Sequence, residues 1–180
     1  MNPNLDYISP PVPLDLIQNE LIKDRFIRST NKGSNEIYII NHHNSPNVVH
    51  EIGRLRELTF ASAGGGTGKS IDIDKYDTSE NCYDQLIVWA PESREIIGGY
   101  RFFDCSKILD TEELQLSTQR YFNYSDQFKK DYLPYTVELG RSWVQPNFQP
   151  SNVSRRGIFA LDNLWDCLLY TSPSPRDRVQ

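Results

Sequence analysis

Between Ser45 and Phe60 the apolar residues Val48, Val49, Ile52, Leu55 and Leu58 recur at the three- and four-residue spacing of a helix that buries one face. Ser45 can cap such a helix and Pro46 suits its first position, so the pattern predicts a helix over roughly residues 46 to 61. EIYIINH, 36 to 42, reads as a strand. DQLIVWA and EIIGGYRFF are β-rich runs joined by the turn PESR, which predicts an antiparallel hairpin. TVELGRSWV, 136 to 144, reads as a further strand, followed by the polar loop QPNFQPSNVSRR and a helix from Gly157. Residues 1 to 13 are a Pro-rich lead-in, and LDLIQNELIK fits one short helix. ILDTEELQL and YSDQFKKDYL are short helical candidates before the last strand. No segment repeats. The order strand, helix, hairpin, strand, loop, helix predicts an α/β fold with a mixed, largely antiparallel sheet.

Composition narrows the class. With 180 residues, 38% hydrophobic and 24% charged, the chain reads as a soluble globular protein of one domain. No apolar run reaches the roughly 18 residues of a membrane span. The start MNPNLDYISPPVPLD lacks the basic and apolar segments of a secretory signal, which predicts a cytoplasmic location. A net charge of −5 without a basic stripe argues against a nucleic-acid partner. Cys82 and Cys105 lack CxxC spacing, and cytoplasmic thiols stay reduced. His42, His43 and His50 read as a solvated loop pair and a helix-face histidine, so no metal is expected.

Residues 63 to 70, AGGGTGKS, fit the loose pattern of a phosphate-binding P-loop. That chemistry needs a buried strand before the loop and a helix after it, which sets the phosphates on the helix N-terminus. Here a helix precedes the loop, and SIDIDKYD follows it with carboxylates that repel a triphosphate. The expectation is a glycine loop leaving a helix, with no nucleotide bound.

The ending CLLYTSPSPRDRVQ changes character abruptly after IFALDNLWD. Back-translated, Cys167 to Asp177 matches a read through a transposon-end sequencing adapter; a Ser/Pro-rich disordered tail is the alternative. The first reading makes residues 167 to 180 non-native and implies a natural chain that continues past Asp166.

Chemistry concentrates near the last strand. Glu138 and Arg141 interrupt its apolar run, and charges in a strand are costly unless paired or used. Two readings stand: an internal ion pair of Glu138 with Arg141 or Arg101, or a cleft carboxylate acting as base or amine anchor. Ser154, Arg155, Arg156 and Gly157 precede a helix whose free N–H groups can bind phosphate.

Arg56 and Phe60 form Arg-x-x-x-Phe on the first long helix, Asp74 and Asp77 form Asp-x-x-Asp in the loop after it, Arg101 follows paired glycines in GGYRF, and Glu138 with Arg141 forms Glu-x-x-Arg. In this order and approximate spacing the motifs resemble the GNAT superfamily, in the branch that takes fatty acyl groups from acyl carrier protein. That branch includes acyl-homoserine-lactone synthases and the ornithine and glycine lipid N-acyltransferases; FALDNLWD, 159 to 166, looks most like the glycine type. One departure is Arg156-Gly157-Ile158-Phe159, with a single glycine where the GNAT phosphate loop carries Gly-x-Gly or Gly-x-Ala.

The resemblance implies a GNAT-like domain over 36 to 166 behind an extension, 1 to 35, and an incomplete C-terminal sheet. It implies transfer of a fatty acyl group, 3-hydroxylated or not, from acyl carrier protein to an amino acid such as glycine, in amino-acid lipid biosynthesis. Glu138 is then the base or amine anchor, Arg101 and Arg141 hold the acceptor carboxylate or the acidic loop, and Arg56, Phe60, Asp74 and Asp77 form the acceptor side. Ser154, Arg155, Arg156 and Gly157 meet the pantetheine phosphate; acyl-phosphopantetheine is a co-substrate, less readily on coenzyme A than on the carrier, and no cofactor is bound. The partners are acyl carrier protein and the amino acid, with peripheral association the remaining mode of membrane contact. Low or no activity is expected of the 180-residue chain itself. An autoinducer synthase using S-adenosylmethionine, or a non-catalytic module that binds acyl carrier protein, are the alternatives.

Overall fold

The computed structural model describes residues 5–31, 34–108 and 114–149, together with Asp162 and Trp165. Five strands form one sheet in chain order: β1 (Phe26–Ser29), β2 (Glu36–Ile40), β3 (Asp84–Ala90), β4 (Glu95–Asp104) and β5 (Val137–Val144). Every pairing between them is antiparallel. The expected hairpin is β3–β4, closed by the Arg94 N–H on the Ala90 carbonyl at 2.8 Å. Arg94 takes a φ of 57° in that turn.

Helices α1 (Leu14–Glu20) and α2 (Pro46–Ser62) fall where apolar spacing placed them. Ile17 of α1 and Val48, Val49, Ile52 and Leu55 of α2 pack on Tyr38, Ile40, Ile87, Trp89, Ile96 and Trp143 of the sheet. A second apolar cluster gathers Ile37, Leu86, Val88, Ala90, Ile97, Tyr100 and Val144 with Phe148 from the turn after β5. Strand alternation explains the split, because Ile37 and Leu86 neighbour Tyr38 and Ile87 in sequence and point the other way. A third cluster joins Tyr76, Tyr83, Cys105, Leu114, Leu116 and Leu133 at the end of the sheet where β3 begins and β4 stops. Among the described residues no helix is long and apolar enough to cross a membrane.

The cap of α2 differs from the local expectation. The Ser45 side chain makes no cap bond; it donates to Asn44 and accepts from Arg25. The Glu20 carboxylate, at the end of α1, accepts from the Asn47 N–H at 3.1 Å and the Val48 N–H at 2.8 Å. A full negative charge at the positive end of a helix outcompetes a neutral hydroxyl, so a residue far away in sequence supplies the cap.

Two further elements lie outside the sequence expectation, the strand β1 and a four-residue helix α3 (Lys75–Thr78). The helical reading of YSDQFKKDYL corresponds to α4 (Asp126–Asp131), capped by the Ser125 side chain. Of ILDTEELQL, Leu109 to Glu113 lie outside the described residues; Leu114 to Leu116 are not helical, and a short 3₁₀ turn follows at Ser117–Arg120. Asp162 and Trp165 are helical, while the rest of the segment from Gly157 and the whole of 167 to 180 lie outside the described residues.

The β4–β5 pairing contains a bulge. Arg101 faces Gly140 and Gly99 faces Trp143, so Arg141 and Ser142 together oppose Tyr100. Arg141 absorbs the bend at a φ of 53°. Gly98 makes this approach possible, since a Cβ there would collide with the Trp143 carbonyl of β5, while one on Gly99 would collide with the Leu86 carbonyl of β3 on the other side of the strand. Gly99→Ala should therefore cost about 1–3 kcal/mol or more in urea unfolding. Gly65→Ala, whose Cβ meets only the Phe60 carbonyl at 3.8 Å, should leave the midpoint unchanged.

Candidate active site

The glycine loop is occupied by the protein itself. The Glu57 carboxylate, on α2, accepts from the Thr67 N–H at 2.9 Å, the Thr67 hydroxyl at 2.6 Å, the Gly68 N–H at 2.9 Å and the Tyr7 hydroxyl at 2.8 Å. Burial pushes the Glu57 carboxyl up, and these donors outweigh it and hold the group below the usual carboxylate range. The backbone N–H groups that would cradle a phosphate thus face a fully buried anion. After Ser70 the chain runs without helix to Asp74, so no helix N-terminus stands behind the loop.

The motif residues assemble beyond that loop. Asp74 caps α3 by accepting from the Tyr76 N–H at 2.9 Å, and Asp77 returns a bond to the Asp74 N–H at 3.0 Å, a reciprocal capping box. This fixes both carboxylates against the sheet. Arg56, 1% exposed, donates to Asp77 at 3.1 Å and to the Gln85 side-chain carbonyl at 2.6 Å, while Gln85 donates to Asp77 at 3.0 Å. Burial lowers the proton affinity of the Arg56 guanidinium, and Asp77 only partly restores it. Arg101 reaches the same pair of aspartates, 2.8 Å from Asp74 and 3.1 Å from Asp77. Its guanidinium lies 5.4 Å from the Tyr76 ring and 5.3 Å from the Tyr83 ring. Burial pulls its proton affinity down, and the two aspartates reverse that and hold it firmly charged.

From the bulge, Arg141 reaches Asp72 at 3.2 Å and Asp74 at 3.7 Å. Asp72 hangs its own N–H on the Gly53 carbonyl of α2 at 2.9 Å. The network therefore alternates in sign, Arg56 to Asp77 to Arg101 to Asp74 to Arg141 to Asp72, and ties α2, α3, β4 and β5 together. Phe60 stands apart from it, packed with the apolar residues beneath α2.

Glu138 is not ion-paired with Arg101 or Arg141, which corrects that reading. Its carboxylate accepts from the Tyr83 hydroxyl, from the Ser117 N–H at 3.2 Å and hydroxyl at 3.0 Å, and from the Thr118 N–H at 2.7 Å. Four donors fill the roughly four lone-pair sites of a carboxylate. Burial raises the Glu138 carboxyl, but the Thr118, Tyr83 and Ser117 bonds prevail and lower it overall. Burial and the bond to Glu138 keep the Tyr83 hydroxyl protonated.

Sequence reasoning missed Asp72 as an Arg141 partner, Gln85 as a link between Arg56 and Asp77, and Tyr83 with Ser117 and Thr118 as the Glu138 shell. Gln85 carried a signal, being a polar side chain on the same strand face as Ile87. Ser154, Arg155, Arg156 and Gly157 lie outside the described residues. A cavity of about 620 Å³ shares Tyr76 with the network and is otherwise lined by neighbours such as Cys82, Asp84, Lys107 and Leu116. It lies beside the charged groups and does not contain them.

Residues 55–156 match the acetyltransferase (GNAT) domain. The chain is 52% identical over 166 residues to a glycine N(alpha)-acyltransferase of Bacteroides thetaiotaomicron, covering 91% of this chain and 49% of that protein. It is 51% identical over 166 residues to a glycine N(alpha)-acyltransferase of Phocaeicola vulgatus, covering 91% of this chain and 51% of that protein. The chain thus spans about half the length of these curated relatives. No solved structure matches it. With its antiparallel sheet, its bulged fifth strand and this match, the chain belongs to the acetyltransferase (GNAT) domain family.

Proposed function

We propose that this chain is part of an N-acyltransferase that moves a fatty acyl group from the phosphopantetheine of acyl carrier protein to the amine of an amino acid, glycine being the acceptor, in the making of amino-acid lipids. The observation that carries this reading is identity near one half to two relatives named for glycine acylation, across nearly the whole of this chain.

The reaction makes an amide from a thioester. The amine must lose a proton, its lone pair attacks the thioester carbonyl carbon, and the oxyanion needs donors while the C–S bond breaks. The β5 edge, unpaired among the described residues, can offer backbone N–H groups to that oxyanion. Arg101 and Arg141 supply positive charge for an acceptor carboxylate, and the Asp74–Asp77 capping box holds Arg101 in place. The four donors on Glu138 favour a role as a fixed anion that pins the Ser117–Thr118 turn to β5; taking a proton there means giving up a bond. Ser154, Arg155, Arg156 and Gly157 are assigned to the pantetheine phosphate.

A chimera tests this, with the matched segment of this chain replacing its counterpart in the Bacteroides relative. Supplied with long-chain acyl groups on acyl carrier protein or coenzyme A, and with glycine, ornithine or S-adenosylmethionine, it should release N-acylglycine from the carrier-bound donor. A lactone formed from S-adenosylmethionine would assign it to autoinducer synthesis. Absence of any product, in a chimera that folds, would favour the non-catalytic module.

A further inference from the structure

The charged network leaves one of its carboxylate oxygens unmet among the described residues. Asp72 is 2% exposed, and its Oδ1 meets Arg141 at 3.2 Å, yet its Oδ2 has no hydrogen-bond partner among the described residues. An orphaned, buried carboxylate oxygen forfeits its solvation without return and is the kind of vacancy a ligand donor fills. Among the described residues the Nε groups of Arg56, Arg101 and Arg141 are likewise buried and without a partner, so an orphan acceptor and orphan donors belong to the same network. Arg141 is the loose member, since its side chain is 32% exposed and its Asp74 contact is long at 3.7 Å.

We infer that the free Oδ2 of Asp72 receives the ammonium group of the amino-acid acceptor while Arg141 clamps its carboxylate. The inference rests on the acyl-transfer reading above and places the acceptor within it. An α-amino acid carries opposite charges on adjoining groups, and Arg141 with Asp72 presents the complementary pair in direct contact. Glu138 is the poorer recipient because its oxygens are already filled.

The geometry also assigns the first proton transfer. An ammonium proton passes to Asp72 Oδ2 and frees the nitrogen lone pair, which forms the C–N bond. As the C–S bond breaks, the nitrogen gives up a second proton, the departing pantetheine thiolate takes it, and Asp72 returns its own to water. Thioester and zwitterionic glycine thus give N-acylglycine, a thiol and one proton to solvent. Burial raises the proton affinity of Asp72, and Arg141 from β5 and Arg56 from α2 oppose that, while Asp77 and Asp74 reinforce it. A carboxyl held above its usual range is the better proton acceptor of the two.

Carboxyl-carbon NMR of the 180-residue chain, titrated with glycine and with glycolate, tests this. Glycolate keeps the carboxylate and replaces the ammonium by a hydroxyl. Glycine should lower the titration midpoint of Asp72, because a cation beside it favours the charged form, and glycolate should not. Asp72→Asn should weaken glycine about tenfold or more and glycolate less than about twofold. Glycine that binds wild type and Asp72→Asn equally, with the Asp72 midpoint unmoved, overturns this inference alone. Glycine that shifts no signal anywhere overturns it together with the acceptor reading. The midpoint measurement uses wild type, so a variant that fails to fold leaves the test intact.

Discussion

Arg56→Met should cost about 3–5 kcal/mol of folding stability, read as a fall in the urea midpoint of tryptophan fluorescence. Arg56 is completely enclosed, and among the described residues its guanidinium is the only partner of the Gln85 side-chain carbonyl and one of two cations on Asp77. Methionine fills the volume but leaves Asp77, itself 1% exposed, half neutralised in a buried site. Against a typical total of about 5–15 kcal/mol this is a large share. The sequence reading placed Arg56 on the acceptor side of the site. Its enclosure makes its first effect structural, exerted through Asp77 and the capping box of α3. A variant with unchanged stability and lost glycine binding would return Arg56 to direct contact with substrate.

Glu138→Gln is the second large effect. Gln offers an acceptor on one side and an NH₂ on the other, so donors from Tyr83, Ser117 and Thr118 that all fit a carboxylate cannot all be met. Stability at neutral pH should fall by about 1–3 kcal/mol. The pH dependence has a defined sign. The folded Glu138 carboxyl lies below its ordinary value, so its contribution is fully present above that ordinary value and is lost as pH falls through the depressed folded one. The gap between wild type and variant should be widest near neutrality and should close in acid; a gap constant with pH would contradict the four-donor anion. In the chimera the variant should lose about a hundredfold in kcat/KM as the Ser117–Thr118 turn loses its anchor, and an unchanged rate would show that this turn plays no part in turnover.

These residues show where sequence was informative. Helix α2 was legible because five apolar side chains repeat at its own period, and β3 and β4 because β-rich runs flank a turn. The strand β1 was not, since FIRS is four residues with a mixed pattern and owes its place to β2. Glu57 filling the glycine loop and Glu20 capping α2 are tertiary choices that no local rule weighs.

The site divides in the same way. The order of Arg56, Asp74, Asp77, Arg101, Glu138 and Arg141 was readable, but their partners were not. In a regular strand residues three apart point to opposite faces, and the sequence left Glu138 either in an ion pair with Arg141 or Arg101 or as a cleft carboxylate. The bulge inserts an extra residue, letting Glu138, Gly140 and Trp143 share the α2 face and sending Arg141 to Asp72. The close approach beside that bulge depends on a glycine in a different strand, Gly98.

The most direct measurement is mass spectrometry of the chimera's products after incubation with acyl-loaded carrier protein and ¹⁵N-labelled glycine. An N-acylglycine one mass unit heavier than its unlabelled counterpart, absent without the carrier-bound donor, is the expected result. Free fatty acid alone, with no nitrogen label in any acylated product from a folded chimera, would contradict acyl transfer to an amino acid.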